Sequence, residues 1–353
     1  MPLKTELIKR LSLLAVCMAA ASALFAGCSF ISGEAKIDEG IVIAPKLKIR
    51  SSTAMVALDI AEVKRGDRLE ILEQAEVRTP TRTDEWYKVR MKGSSDVVGW
   101  VESRYIVNKP VVDKIEQLYE GGKSTPSQGK GRLKVQTKLR IEPGGDVVTN
   151  LSRGTLVEIV GKARTTIKPE KQQGTEDTDE TTEEPEARTV LWYQVRLPDS
   201  EVLRAGWVGA QQVQLDVPDE ILHLEGDGRR FTGWVVFDQT KDKKGELKEN
   251  YIGLMKSIST EGPIDFTRIW VLIYSPSESR YINGYLQDNL RGLLPVTLGT
   301  SSGGRGFTIH ELDENGNSVP AEYSLNRVNA TRLEIKRLTP LRVVKKQPRR
   351  QGR

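Results

Sequence analysis

The chain has 353 residues, of which 38% are hydrophobic and 29% charged, with a formal net charge of +5 at neutral pH. That length allows several domains of about 100 residues, each with its own hydrophobic core. The chain contains two histidines, too few for a zinc site built on several histidine ligands. The small positive charge does not by itself select a class of partner.

The N-terminus has the layout of a secretory signal peptide. A short basic segment ends at Arg10, an apolar run extends from Leu11 to Phe25, and small residues precede Cys28. The apolar run is shorter than the about 20 residues that a helix needs to cross a bilayer. We therefore predict a cleaved leader over residues 1–27.

The end of this leader, Leu24-Phe25-Ala26-Gly27-Cys28, resembles the bacterial lipobox, which precedes a lipidated cysteine. The resemblance implies that Cys28 carries acyl chains, that residues 28–40 form a tether, and that the protein is anchored in the cell envelope. Ser29 implies the outer membrane, facing the periplasm, if the source has two membranes. Several acyl chains anchor firmly where one does not, because each buried methylene adds about 0.8 kcal/mol. An ordinary signal peptide with a chance cysteine is the alternative.

Four short sequence blocks occur twice in the same order. Their alternation of apolar and polar residues is typical of strands that bury one face. Short strands with frequent turns indicate a small closed or half-closed barrel, in which Gly66 and Gly154 serve tight turns at positive φ. The blocks are Leu47–Ser51, Lys64–Leu72, Glu85–Arg90 and Val98–Val101 in the first copy, and Lys138–Pro143, Ser152–Val160, Leu191–Arg196 and Ala205–Val208 in the second.

This order of an Arg-bearing strand, a Gly-led strand, a Trp-Tyr strand and a Gly-Trp-Val strand resembles the bacterial SH3-like (SH3b) domain family, over residues 41–107 and 132–215. The resemblance implies binding to peptidoglycan stem peptides or to proteins. Aromatic rings would then stack on a peptide and an arginine would pair with its carboxylate. The candidate contacts are Arg50, Tyr87, Tyr105, Arg140 and Tyr193. In the alternative, the tyrosines cap small cores that are filled by Trp86, Trp100, Trp192 and Trp207.

Two segments near the second copy are predicted to be irregular. Residues 108–131 contain a short helix at Val111–Glu120 and then a polar, Gly-rich linker that lets the copies move relative to each other. The insert at 168–188 is rich in Glu, Asp, Thr and Gln and cannot bury enough surface to offset chain entropy. We predict a disordered surface loop there. A Ca²⁺ site is the alternative, although the spacing lacks a known calcium-loop pattern.

The remaining region, 218–345, contains about eight candidate strands rich in β-branched and aromatic residues, together with one segment of helical period at Leu247–Ile258. The whole chain is therefore predicted to be all-β, with two small SH3-like barrels followed by an antiparallel β-barrel or sandwich.

The glycines of Thr300–Gly306 indicate a hairpin loop, with an anion-binding nest around Arg305 as the alternative. The basic tail at 346–353 is predicted to be solvated, and to be attracted to anionic lipid or envelope polymer.

The residue inventory favours a binding protein over an enzyme. Removal of the leader leaves no cysteine besides Cys28, and the histidines, His223 and His310, are predicted to be structural. We predict no cofactor, no metal and no nucleic-acid partner. Two hypotheses remain: the tandem modules bind the wall while the lipid holds a membrane, or the chain is a scaffold that assembles other envelope proteins.

Overall fold

The structure is a computed structural model that describes residues 35–79, 82–91, 97–167, 188–199, 201–260, 262–301, 304–329 and 332–340. Two compact units divide between Asn108 and Lys109. Four predictions lie outside the described residues: the leader at residues 1–27, the lipid site at Cys28, nearly all of the acidic insert, and the basic tail. No helix of the described ranges is long and apolar enough to cross a membrane.

The described residues of the first unit form seven strands. They are Asp38–Val42 (β1), Lys46–Arg50 (β2), Asp59–Lys64 (β3), Arg68–Arg78 (β4), Thr83–Met91 (β5), Val98–Glu102 (β6) and Ile106–Asn108 (β7). They pair antiparallel in the order β3-β2-β6-β5-β4-β1-β7. Val63 and Ile106, from the two ends of this order, belong to one hydrophobic core, so the sheet curls on itself. Strand β1 begins at Asp38, inside the predicted tether, because it pairs with both β4 and β7.

The alternation along β5 separates two faces of the sheet. Tyr87, Val89 and Met91 point to the aliphatic core, and the residues between them must therefore face the other way. Gly66 has φ of +93°, which confirms the tight turn expected before β4. Gly99 is required for a different reason: a Cβ there would lie 2.5 Å from the carbonyl oxygen of Arg50.

The second unit begins with a helix, α1, at Lys109–Gly122, slightly longer than the one predicted. Seven strands follow: Lys130–Leu133 (β8), Thr137–Arg140 (β9), Val147–Leu151 (β10), Leu156–Ile167 (β11), Arg188–Arg196 (β12), Ala205–Gly209 (β13) and Val213–Leu215 (β14). Their order, β10-β9-β13-β12-β11-β8-β14, repeats that of the first unit strand for strand. The repeat in sequence is thus a repeat of topology. The acidic insert connects β11 to β12, which pair as far as Ile167 and Arg188.

The chain continues through a one-turn helix, α2, at Asp219–Leu222 into eight more strands. Arg229–Lys241 (β15), Leu247–Ser257 (β16), Arg268–Ser275 (β17) and Arg280–Gln287 (β18) form one antiparallel meander. Gly292–Ser301 (β19), Gly304–Leu312 (β20), Ser318–Asn329 (β21) and Arg332–Arg337 (β22) form a second. One core joins residues of both sheets, such as Val271 and Tyr323. The prediction of an all-β fold is confirmed, and this region is two packed sheets.

The helical period read at Leu247–Ile258 is wrong, because that segment is strand β16. It is a central strand, paired with β15 and β17. Its residues from Asn250 to Met255 are all buried. Burial on both faces removes the alternation that normally marks a strand, so a short apolar run can match either period.

Candidate functional site

The two predicted arginines occupy equivalent places in their modules. The guanidinium of Arg50 lies 5.8 Å from the ring centre of Trp86, and that of Arg140 lies 5.6 Å from the ring centre of Trp192. Arg50 also donates a hydrogen bond of 2.8 Å to the carbonyl of Met55, and Arg140 donates to the carbonyl of Gly145. Each arginine therefore fixes the loop that follows its own strand.

The tryptophans do not fill the aliphatic core of the first module. Trp86 alternates with the core-facing residues of β5, so it lies on the opposite face, where it is nonetheless only 6% exposed. Trp192 is 8% exposed in the second module and donates through Nε1 to Thr165 Oγ1 at 2.8 Å. Trp100 and Trp207 are half-buried. The first module's core is aliphatic instead, with Leu69, Ile71 and Val89 among its members.

The predicted tyrosines separate into two environments. Tyr87 and Tyr105 are half-buried at the edge of the first module's core, on the other face of the sheet from the arginine. The guanidinium of Arg104 covers the ring of Tyr105 at 4.9 Å from its centre. Burial raises the pKa of Tyr87, and the nearby carboxylate of Glu85 adds to the effect. The first module thus does not bring its predicted arginine and tyrosines into one site.

Tyr193, in contrast, is 9% exposed. The Nζ atom of Lys162 lies 5.7 Å from its ring centre. Burial raises the pKa of Tyr193 to about 12, and the negative charge of Asp265 contributes further. Asp265 comes from the segment before β17, so this tyrosine is part of a contact between the second module and the C-terminal sheets.

Asp265 is the centre of that contact and was not identified from the sequence. Its carboxylate is 1% exposed and pairs with Lys162 at 2.9 Å and with Arg164, both of β11. Oδ2 of Asp265 also accepts a hydrogen bond of 2.9 Å from the backbone amide of Leu294. A buried carboxylate needs such partners, because an unpaired charge away from water is costly.

Gln128, in the predicted flexible linker, makes a second contact of this kind. Its side chain donates to the carbonyls of Pro126 and Val296 and accepts from the amide of Val296, at 2.7–2.8 Å. Its backbone carbonyl accepts from the amide of Trp234 at 2.9 Å. Gln128 is fully buried, and these bonds join the linker to both C-terminal sheets. No local sequence pattern indicates this role, because the partners lie 168 residues apart.

An aromatic groove opens on the face of β15–β18 that does not pack on the second sheet. Trp270, Leu272 and Tyr274 alternate along β17 on this face, while Ile269, Val271 and Ile273 point to the shared core. Helix α2 covers part of the face through Ile221. The remainder is a groove of ≈ 740 Å³, within the range typical of ligand sites. Its lining also includes Glu220, His223, Lys248, Arg280, Tyr281 and Asn283.

The groove combines ring faces with polar groups. The ring centres of Tyr274 and Tyr281 lie 5.5 Å apart in an edge-to-face arrangement. Burial raises the pKa of Tyr281 to about 12, with a contribution from Glu220, and its hydroxyl donates to the carbonyl of Glu249 at 2.9 Å. The Nε1 atom of Trp270 is buried and has no acceptor among the described residues.

One feature of the sequence indicates the aromatic face of this groove. Arg268–Tyr274 is apolar or aromatic at almost every position, which indicates a strand covered on both faces. Its aromatic residues lie on the face away from the shared core. His223, predicted to be structural, is exposed and lines the groove, whereas His310 is half-buried on β20.

The predicted glycine loop and the predicted metal and calcium sites are considered in turn. Strands β19 and β20 pair as far as Ser301 and Gly304, as expected for a hairpin, and the guanidinium of Arg305 donates to the carbonyl of Phe237 at 3.0 Å. The described residues contain no group of three or more His, Cys, Asp or Glu that could hold a metal ion. Most of the acidic insert, where calcium was considered, lies outside that part of the chain.

Comparisons with known proteins add little. No protein-family model matches the chain, and no curated protein is similar to it. Among solved structures, NlpC1 from Trichomonas vaginalis is 9% identical, with a TM-score of 0.17 over 82% of this chain and 88% of that one. NlpC2 from the same organism is 8% identical, with a TM-score of 0.16 over 82% and 92%. Scores this low carry no inference about fold or activity.

Proposed function

We propose that the chain is a non-enzymatic lipoprotein, anchored in the cell envelope through Cys28, that binds a wall-associated ligand. The observation that supports ligand binding best is the aromatic groove beside α2. It presents Trp270 and Tyr281 at the surface of a rigid sheet, so little side-chain entropy is lost when a ligand stacks on them.

The charges around the groove suggest the ligand class. Lys248 and Arg280 hold surface ion pairs with Glu246 and Glu278, which they can exchange for a ligand carboxylate, and Glu220 can pair with an amine. Peptidoglycan offers a partner for each charge and for the aromatic rings of the groove. Its stem peptides carry carboxylates and amines, and its sugars present apolar ring faces. We therefore assign the groove to a short stretch of wall polymer.

The tandem modules have a supporting role in this proposal. Their arginines, Arg50 and Arg140, are engaged in holding loops, and Tyr193 is buried. Tyr87 and Tyr105 keep part of their surface exposed, so of the predicted contacts they are the ones left to reach a peptide.

The test is co-sedimentation of the chain from Ser29 to its end with purified wall sacculi. Asn283 is exposed on β18 and pairs with Leu272, so its side chain points into the groove. Asn283→Trp should obstruct the groove and weaken binding by about tenfold or more, the equivalent of about 1.4 kcal/mol. Val328→Trp places the same ring at an exposed strand position outside the groove and is the matched control.

Three outcomes differ in meaning. Loss of binding in Asn283→Trp alone supports the groove. Loss in Tyr87→Ala but not in Asn283→Trp would move the site to the first module. No sedimentation of the unaltered chain would overturn wall binding and favour the scaffold hypothesis, which in-cell crosslinking to neighbouring envelope proteins then tests.

A further inference from the structure

The loop between β2 and β3 exposes a cluster of aliphatic side chains. Met55 is 93% exposed, Val56 92% and Leu58 74%. Single exposed apolar residues are common, but adjacent ones with almost complete exposure mark an interaction surface. We call Met55, Val56 and Leu58 the apolar tip.

The loop that carries the apolar tip is held in shape by hydrogen bonds. Arg50 donates to the carbonyl of Met55, and Ala57 donates to the carbonyl of Ala54 at 3.1 Å. At the base, the amide of Ser51 donates to the carbonyl of Leu58 at 2.8 Å, and its hydroxyl accepts from the amide of Leu58 at 3.1 Å. These bonds matter for contact with an apolar phase, because backbone groups without partners are expensive to bring there.

The second module shows that the loop geometry does not require apolar residues. Arg140 donates to the carbonyl of Gly145, five residues later, just as Arg50 does to Met55. Yet that loop, residues 141–146, is two residues shorter and contains Glu142-Pro143-Gly144-Gly145-Asp146, and Val147 at the start of β10 is only 43% exposed. A loop held by the same arginine contact thus carries no cluster of highly exposed aliphatic side chains in the second copy, so the apolar residues of the first copy are not needed to hold the loop.

The β2–β3 hairpin that carries the apolar tip is basic overall. Residues 46–65 contain five basic side chains and two acidic ones. Lys46 and Lys48 are 70% and 63% exposed, in pairs with Glu62 and Asp59. Exposed pairs of this kind are weak, so the ammonium group of Lys48, two residues before the end of β2, can turn to a lipid phosphate instead. Exposed apolar side chains at the end of a basic hairpin are a combination that favours anionic bilayer surfaces.

The position of the module in the chain makes a bilayer accessible. The first strand begins at Asp38, ten residues after Cys28, and a chain of that length reaches at most about 35 Å. A lipid on Cys28 would thus keep the first module beside the membrane surface.

We propose that the apolar tip inserts into the surface of an anionic lipid bilayer and orients the first module on the membrane. This inference rests on the proposed lipid anchor, which brings the module to the bilayer. Exposed aliphatic side chains without aromatic or hydrogen-bonding groups fit a fluid lipid surface, whereas a protein partner would have to supply a matching groove.

The test uses the chain from Ser29 to its end, which lacks the acylated cysteine, so any binding comes from the protein surface. That chain contains no cysteine, and Met55→Cys accepts one environment-sensitive fluorophore. With vesicles of phosphatidylethanolamine and phosphatidylglycerol we expect a blue shift of its emission, absent for the matched label at Val147→Cys. In flotation, the double variant Met55→Asp with Val56→Asp should bind about tenfold more weakly. High salt or phosphatidylcholine alone should also weaken binding.

Vesicle binding that is unchanged in the double variant would overturn the inference, as would no binding of the unaltered chain. A photo-crosslinker at Val56 that captures protein and no lipid in cells would instead indicate a protein partner and likewise contradict it. Because the two side chains are over 90% exposed, the melting temperature should not change. The lipid anchor is tested separately by mass, so failure of one proposal is distinguishable from failure of the other.

Discussion

Single residues decide how the second module is attached to the C-terminal sheets. Asp265 is nearly without solvent contact and forms ion pairs with two cations of β11. Asp265→Ala leaves Lys162 and Arg164 without this carboxylate, and removing one partner of a buried pair costs about 3–5 kcal/mol. We expect a loss of this size in the free energy of unfolding measured by urea titration.

The matched control is Asp216→Ala, which removes the partner of the exposed Arg132. It should cost less than about 1 kcal/mol. Equal losses of unfolding free energy in the two variants would show that the buried ion pair contributes no more to stability than the exposed one.

Deprotonation of Tyr193 should destabilise this contact at alkaline pH. Its pKa is raised by burial to about 12 in the folded protein, against about 10 in an unfolded chain. A group with a raised folded pKa contributes stability that is complete below the unfolded value and is lost as the pH rises through the folded one. The stability of the unaltered chain relative to Tyr193→Phe should therefore fall by about 2–3 kcal/mol between pH 10 and about 12. Denaturant titrations of both chains across this window measure the difference, and parallel curves would contradict it.

At the scale of elements, the Arg–Trp contact in each module joins a strand to the loop that follows it. Arg50→Lys keeps the charge but cannot reproduce the planar fork that covers Trp86 and reaches Met55. We expect the loop to open more readily by about 1 kcal/mol. Hydrogen exchange at the amide of Ser51, which closes the loop, should speed up accordingly. Arg82→Lys, in an exposed pair with Asp84, should leave that amide unchanged.

At the scale of the whole molecule, the proposed function depends on the membrane anchor. Cleavage before Cys28 with addition of acyl chains should appear in the intact mass of protein extracted from membranes. In the Cys28→Ala variant the acyl mass and the membrane fraction should both be lost. An unmodified full-length mass for the unaltered chain would overturn the anchor, and with it the case for a wall ligand.

Much of the architecture follows from local patterns in the sequence. The two copies can be recognised in the sequence because each strand buries one face and tight turns need glycine. The alternation of apolar and polar residues and the turn glycines therefore recur in the same order in both copies. The helix α1 and the strand content of the C-terminal region follow in the same way. The central strand β16 was misread as helical because burial on both faces erases its alternation.

Tertiary structure alone decided which residues meet. Gln128 looks like part of a flexible linker, and Asp265 like an ordinary acidic residue in a loop. Their roles come from partners about a hundred or more residues away, and no local period records such a distance. The groove likewise needs β17, β18 and α2 together, since a concave surface is a property of packed elements. The sequence by itself determined the strands, the repeat and the proposed anchor, while packing decided which polar groups are buried and where a ligand has room.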